Sequence, residues 1–160
     1  MQKVNVAGVA ETEWRSAKGR FHTFGKELSV ALGREPKSTD LFRRHPFDVM
    51  IARLPAGAVM CPYHAHSTQW EFYVVLSGHG TVREESGMTE IGPGDVFLFR
   101  PGEAHQITNS GTGDLVYYVI ADNPLGEWCY YPDSKKWVVA GLGPRTVIKG
   151  PTGEYLDGEE

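Results

Sequence analysis

Residues 64–71 read His-Ala-His-Ser-Thr-Gln-Trp-Glu, and residues 100–105 read Arg-Pro-Gly-Glu-Ala-His. Together the two stretches hold four side chains of the kinds that bind metal ions in proteins: His64, His66, Glu71 and His105. A mixed set of imidazole nitrogens and a carboxylate oxygen suits Mn, Fe, Co, Ni, Cu or Zn, and it can leave coordination positions open for a substrate. If the four side chains converge, the chain binds one divalent transition metal.

The sequence around these residues alternates short apolar runs with Gly- and Pro-rich breaks, starting at Phe47. Gly permits a positive φ and Pro fixes φ, so the breaks predict turns between strands. We predict eight strands: Asp48–Leu54, His64–His66, Glu71–Leu76, Gly80–Glu84, Met88–Ile91, Asp95–Phe99, His105–Asn109 and Leu115–Ile120. Short strands at regular spacing, with no helical period sustained over three turns, are typical of an all-β sandwich or barrel.

The segments on either side of this region are less regular. Residues 1–45 predict loops, one or two short edge strands and a helical turn near residues 38–42. Near the C-terminus, the apolar run Thr146–Lys149 predicts one more strand, which we expect to pair with another subunit.

The alternation of side chains along a strand brings the candidate ligands to one place. His64 and His66 are two residues apart, so they point to the same face. Glu71 shares a face with Tyr73, and His105 begins a separate strand. In a closed barrel one face of every strand is interior, so four ligands from three strands can meet inside.

Each of these residues also has a plainer interpretation. A lone histidine on a strand is usually structural, and we interpret His22, His45 and His79 in this way. A His-x-His pair alone is a weak signal of metal binding. Glu71, however, interrupts the apolar run of residues 70–76, and a buried carboxylate without a partner is costly. This carboxylate makes a metal site the favoured interpretation.

The composition is that of one globular domain of 160 residues, 41% of them hydrophobic. A net charge of −4 and the lack of a basic face argue against nucleic acid binding. Two cysteines do not make a disulfide framework, so we expect a reduced, cytoplasmic protein. The first residues lack the apolar core of a secretion signal, and no apolar run approaches the roughly 20 residues of a membrane span.

The glycines that frame the candidate ligands extend the pattern into two motifs that resemble those of the cupin superfamily. The residues that resemble the first motif are Gly57, His64, His66, Glu71 and Gly78. Those that resemble the second are Gly94, Asp95, Gly102, His105 and Asn109. The chain departs from the family pattern in the Gly57–His64 gap, which is one residue longer, and at Arg100, where proline is usual and Pro101 follows.

The resemblance implies a cupin-type jelly-roll β-barrel with short N-terminal and C-terminal extensions. It covers residues 57–109 by motif and about 48–120 by strands. We therefore expect residues 1–160 to form a single cupin domain. Its parts would be a barrel core of about 47–122, an N-terminal extension of 1–46 and a C-terminal extension of 123–160.

The resemblance also implies that one metal, which the donors leave open among Mn, Fe, Ni, Cu and Zn, is held by His64, His66, Glu71 and His105. It does not choose the reaction, since similar cupins include dioxygenases, decarboxylases, sugar-phosphate isomerases, epimerases and binding proteins.

We expect a metal-dependent enzyme, isomerase-like or dioxygenase-like, acting on a small anionic or carbonyl-bearing molecule. The alternative is a non-catalytic module that binds a small ligand, and a barrel that serves only as a scaffold is the weakest option. The catalytic candidates are Tyr73, as a base, and Arg100, which either binds an anionic substrate or is a solvated strand end.

Strand parity and proximity add further candidates for contacts near the site: Arg53, Gln69, Asn109 and Tyr117. Residues 122–137 resemble a stretch of small bacterial cupins, some of them named as candidate sugar phosphate isomerases. The aromatic residues of its Tyr130–Trp137 part either line the pocket or cover a barrel edge and seal a dimer. We favour the second interpretation, and strand-edge coverage also predicts a homodimer.

Overall fold

The structure is a computed structural model that describes residues 1–140 and 145–150. It is built almost entirely from strands: β1 (Thr12–Arg15), β2 (His22–Glu27), β3 (Phe47–Leu54), β4 (Ala65–His66), β5 (Glu71–Ser77), β6 (Gly80–Glu84), β7 (Gly87–Ile91), β8 (Val96–Phe99), β9 (Gln106–Thr108), β10 (Leu115–Asp122), β11 (Glu127–Tyr131), β12 (Lys136–Ala140) and β13 (Thr146–Lys149). Two single-turn helices, α1 (Leu28–Ala31) and α2 (Leu41–Arg44), lie in the N-terminal segment, and 3-10 turns occur at Val6–Gly8 and Pro132–Ser134. Among the described residues no helix has the length to cross a membrane.

The strands form two layers, as in a jelly roll. One layer is a six-stranded sheet of order β1-β2-β3-β10-β5-β8. The other layer consists of a four-stranded sheet, β13-β12-β11-β4, and a three-stranded sheet, β7-β6-β9. An antiparallel bridge between His64 and His105 joins the two smaller sheets. The predicted all-β, cupin-type fold is confirmed.

Side-chain alternation builds the core between the layers. Every second residue of β10, from Leu115 to Ala121, is buried, and the intervening residues are not. The same parity buries Tyr73 and Val75 in β5. The face of β5 that carries Glu71 is therefore the interior face, as the sequence predicts.

All eight predicted strands are present, with ends that differ by at most two residues. The N-terminal segment contains the two short strands β1 and β2, and α2 lies at the predicted helical turn. The strand predicted at Thr146–Lys149 exists as β13. One of its edges pairs with β12 of the same chain, because the turn at residues 132–134 folds β12 back on β11 and leaves the other edge of β12 open. Its pairing with another subunit stays a prediction. Residues 141–144 and 151–160 of the predicted C-terminal extension lie outside the described residues.

Two motif glycines make a matched test of the backbone. Gly57 and Gly78 have positive φ values of 75° and 82°. A Cβ at Gly57 would meet nothing within 4 Å, whereas a Cβ at Gly78 would collide with the carbonyl oxygen of Asp114 and lie 2.8 Å from the Cα of Leu115.

We expect Gly57→Ala to lower the free energy of unfolding by about 1–2 kcal/mol, the cost of a left-handed backbone for an L-residue. Gly78→Ala adds a backbone clash to the same conformational cost, so it should lower the free energy of unfolding roughly twice as much or more. Urea denaturation of both variants measures the difference. Equal losses would show that the close approach at Gly78 does not constrain the chain.

Candidate metal centre

The structure brings the four predicted ligands together between the two layers. The Nε2 atoms of His64 and His66 lie 3.1 Å apart. His66 Nε2 is 3.6 Å from Oε1 of Glu71, and His105 Nε2 is 2.9 Å from its Oε2. Ligand atoms of His64, His66 and Glu71 all lie within 4.8 Å of one another, and His105 joins this group through Glu71.

Backbone hydrogen bonds fix the positions of these side chains. His64 N donates to His105 O at 3.2 Å, and His105 N donates to His64 O at 2.9 Å, so these two residues are locked side by side. Gly102 N donates to the carbonyl oxygen of His66 at 2.8 Å, and the φ of 88° at Gly102 is one that glycine adopts readily. The glycine of the second motif thus ties the loop before His105 to β4.

Each histidine has an oxygen acceptor on its Nδ1 side. Nδ1 lies 3.0 Å from Pro62 O in His64 and 3.1 Å from Glu103 O in His105. In His66 the acceptor is the Glu127 carboxylate, at 3.3 Å. Because these oxygens accept and cannot donate, each Nδ1 carries a proton, and Nε2 is the nitrogen atom that each ring turns toward Glu71 and would offer to a metal ion.

This donor set fits a metal ion. Two donors bonded to one ion at roughly 2.1 Å lie roughly 3.0–3.4 Å apart in tetrahedral or octahedral geometry, close to the separations found here. Nε2 of His105 is buried and has no hydrogen-bond partner, although it lies 2.9 Å from Glu71. Converging lone pairs beside a carboxylate are costly to bury unless a cation lies between them.

The charges at the centre are set by burial and by the ligands themselves. Burial acts to raise the pKa of Glu71, but the contact with His105 and the nearby His66 and His64 outweigh it and lower that pKa to about 2. Burial and the neighbouring imidazoles lower the pKa of His64 to about 4. At neutral pH Glu71 is therefore an ionised carboxylate and His64 a neutral donor.

Glu127 is the residue at this site that the sequence did not reveal. Its side chain is 11% exposed, and it accepts hydrogen bonds from Ser67 N at 2.8 Å, Thr68 N at 3.2 Å and Thr68 Oγ1 at 2.5 Å. Burial acts to raise its pKa, but His66 and these donors lower the pKa of Glu127 to about 2. Glu127 lies within residues 122–137, whose aromatic residues were predicted to cover a barrel edge, and no motif marks it.

The Tyr130–Trp137 segment belongs to a strand pair with two different faces. Residues of β11 on its inner face lie at the site: Cys129 Sγ is 3.5 Å from His66 Nδ1, and the Tyr131 ring stacks 5.8 Å from that of His64. The alternate residues Trp128 and Tyr130, together with Trp137 of β12, line a cavity of about 370 Å³ that His66 also lines. Since β11 also pairs with β4, the segment covers a strand edge and contributes to the metal centre.

The two catalytic candidates, Tyr73 and Arg100, lie in different environments. The hydroxyl of Tyr73 donates to Glu71 Oε2 at 2.9 Å, and burial raises the pKa of Tyr73 well above its ordinary value, so this phenol stays protonated and supports a ligand. Arg100 follows the buried Phe99 and is exposed, on the face of the chain opposite to the interior. This placement favours a solvated strand end over a contact with the site.

The candidates chosen by parity alone have contacts of their own. Arg53 pairs with Glu11 and Asp114 at the surface. The amides of Gln69 and Asn109 donate to backbone carbonyl groups, and Tyr117 is buried with its hydroxyl 2.9 Å from the sulfur of Met60. None of these contacts is to a predicted ligand.

Comparisons with known proteins agree with this geometry. Residues 50–121 match the family Cupin_2, a cupin domain. An oxalate-binding protein of Thermotoga maritima is 32% identical over 68 residues, which cover 42% of this chain and 55% of that protein, so the chain spans about half the length of this relative.

Two crystal structures are similar over most of their length. A candidate sugar phosphate isomerase of Acidithiobacillus ferrooxidans is 25% identical, with a TM-score of 0.78 over 90% of this chain and 87% of that one. A sugar phosphate isomerase of a cupin superfamily from Silicibacter pomeroyi is 20% identical, with a TM-score of 0.75 over 92% of each chain. The second likeness shows the fold alone.

Two buried tyrosines allow a matched test of the support that Glu71 receives. Tyr73→Phe removes a hydrogen bond to a charged carboxylate, so we expect it to lower the free energy of unfolding by about 1.5–3 kcal/mol. Tyr117→Phe removes only a bond to a thioether sulfur, a weak acceptor, and should cost less than about 1 kcal/mol. Chemical denaturation measures the free energy of unfolding of both variants. A Tyr117→Phe variant as unstable as Tyr73→Phe would contradict the view that the hydrogen bond from Tyr73 to Glu71 adds stability.

Proposed function

We propose that this chain, which belongs to the cupin superfamily, binds one divalent transition-metal ion through His64, His66, Glu71 and His105. We further propose that it acts on a small anionic or carbonyl-bearing molecule at that ion. The observation that carries the proposal is the convergence of three imidazole Nε2 atoms on one ionised, buried carboxylate. A bound ion would supply a Lewis acid for an oxygen atom of the substrate.

The residues around the ligands support a site that holds and shields a small molecule. Phe99 stacks on the ring of His105 at 3.8 Å between nearly parallel planes, which fixes that ligand and excludes water from its side. The pKa of Tyr131, next to His64, is raised to about 12 by burial and then by the nearby Cys129 and Cys61. A protonated phenol in this position can donate a hydrogen bond to a substrate oxygen.

An isomerase is the reaction class that we favour. The support is the likeness to the Acidithiobacillus protein, which bears that name in candidate form and aligns over most of the chain. Interconversion of a carbonyl and its neighbouring hydroxyl needs a group that polarises the oxygen atoms and a group that moves a proton. An ion held by the donor set would supply the first, and Tyr131 is the protonated group beside it.

A binding module is the second candidate, and one observation favours it. Tyr73, the phenol predicted as a base, donates its hydrogen bond to Glu71 and stays protonated, so it does not serve as a free base beside the ligands. The relative from Thermotoga maritima is named for binding. In this case the ion would anchor a small anion without turnover.

We also propose that a second copy of the chain covers the outer face of the six-stranded sheet, as a homodimer. This face exposes large apolar side chains on β5 and β8, namely Phe72, Leu76, Val96 and Leu98. Among the described residues, β8 is an edge strand of that sheet. An exposed apolar edge strand is a template for pairing, and identical copies satisfy it symmetrically.

The predicted cytoplasmic location stays a proposal as well. Cys61 and Cys129 are both free thiols, which suits a reducing compartment.

Elemental analysis tests the metal site. The purified wild-type chain should carry about one transition metal per chain, and His66→Ala should lose it, because removal of a ligand leaves the others unable to hold the ion. His79→Ala is the matched control, since His79 is exposed and outside the ligand set. Wild-type protein without bound metal, after exposure to Mn, Fe, Ni, Cu and Zn salts, would contradict the proposal.

The same proteins separate the enzyme from the binding module. Metal-loaded wild type is incubated with a panel of aldose and ketose phosphates, and NMR follows their interconversion. Turnover that His66→Ala abolishes and His79→Ala retains is expected for an isomerase. Saturable binding of an anion such as oxalate without turnover of the panel would support the module instead.

Sedimentation equilibrium tests the homodimer. Leu98→Lys places a charge on the apolar face and should shift the chain from dimer to monomer, because burying an unpaired ammonium group is costly. Leu125→Lys, at an exposed leucine outside this face, should leave the dimer intact. A monomeric wild type at high concentration would refute the proposal.

A further inference from the structure

We propose that Glu127 is a positioning residue for the metal centre, which holds His66 with Nδ1 protonated and strengthens its Nε2 as a donor. The inference rests on the proposed metal site and names a residue that the cupin motifs do not include. Its basis is the contact of 3.3 Å between Glu127 Oε1 and His66 Nδ1.

The carboxylate of Glu127 is held rigidly, as a positioning role requires. The backbone N–H groups of Ser67 and Thr68 and the hydroxyl of Thr68 all donate to it. These donors belong to the residues that directly follow His66, so the carboxylate bridges the loop after β4 to the ligand itself. His66 thereby receives an acceptor that is fixed in place and nearly buried.

Strand pairing delivers Glu127 to this position. Cys129 of β11 lies opposite His66 of β4, and Ser67 N donates to the carbonyl oxygen of Trp128 at 2.9 Å. Glu127 and Cys129 are two residues apart on β11, so both side chains point toward the metal centre. Strand β11 is thus part of the site and not only a cover for the edge of β4.

The acceptor of His66 differs from those of the other two histidines. His64 and His105 rely on neutral backbone carbonyls at Nδ1, whereas His66 relies on a charged carboxylate. A hydrogen bond from a metal-bound imidazole to a carboxylate fixes the ring and raises its basicity, and loss of such a partner typically weakens metal affinity about 10–100-fold. His66 is therefore the ligand whose donor strength depends most on a side chain.

Glu127 also sets the charge that the ion must balance. Glu71 and Glu127 are two carboxylates within reach of His66, at 3.6 Å from Nε2 and 3.3 Å from Nδ1. Once an ion is bound to neutral imidazoles, these carboxylates would give the centre two negative charges, which a divalent cation would neutralise in a buried setting. Glu127→Gln keeps the shape of the side chain and removes one of these charges.

Affinities for Zn²⁺ and Co²⁺ test the inference in the full chain, by competition with a chromophoric chelator. Glu127→Gln should weaken both about 10–100-fold and shift the visible absorption bands of bound Co²⁺, which report ligand field and geometry. Glu103→Gln is the matched control. It makes the same carboxylate-to-amide change beside a ligand, but there only the backbone carbonyl contacts the histidine. The affinities of this variant for both ions should stay within about 3-fold of those of the wild type, because the backbone carbonyl of residue 103 still contacts His105.

Glu127→Asp guards against a purely structural effect, since it keeps the charge but shortens the side chain. We expect its affinity to lie between those of wild type and Glu127→Gln, with circular dichroism showing a folded chain. Wild-type binding together with unchanged affinity and Co²⁺ spectrum in Glu127→Gln would overturn the inference and leave the metal site standing. Equal losses in the Asp, Gln and Glu103 variants would also overturn it. A wild type that binds neither ion would instead overturn the proposed function.

Discussion

The reciprocal pair of backbone hydrogen bonds between His64 and His105 is the constraint on which the rest of the structure depends. It joins the two smaller sheets into one layer, and it sets two ligands from distant parts of the chain side by side. These bonds are made by the backbone and do not involve the side chains that would bind an ion. The fold itself thus sets the two residues side by side, and the loops around them orient the rings.

The rings are oriented by their outer nitrogen atoms. Each imidazole donates a hydrogen bond from Nδ1 to an oxygen atom and turns Nε2 inward, toward Glu71. Three nitrogen atoms and an ionised carboxylate therefore meet where water is largely excluded. A cation bound there would interact with all four groups at once. Tyr73 donates its hydroxyl hydrogen to Glu71, so it supports this carboxylate and does not take part in proton transfer.

Local sequence signals predicted most of this fold, and they also defined the candidate ligands. Strand periodicity located β3, β5 and β10, and the glycines at 57 and 78 marked turns whose backbone needs a positive φ. Glu127 could not be found in this way. Its role depends on β11 pairing with β4, so the contact with His66 spans 61 residues of sequence and leaves no local pattern. Arg100 is the opposite case: it stands inside the second motif, but it follows the buried Phe99 and is exposed.

Strand β11 adds groups to the candidate site that the two motifs do not contain. Its alternate residues Glu127, Cys129 and Tyr131 lie against His66 and His64, whereas Trp128 and Tyr130 line a cavity that His66 also lines. The four candidate ligands lie in β4 and β5 and directly before β4 and β9. These ligands alone suit many metals and many reactions. Any selectivity of the centre must therefore come from groups beyond them, such as the carboxylate behind His66 and the phenol beside His64.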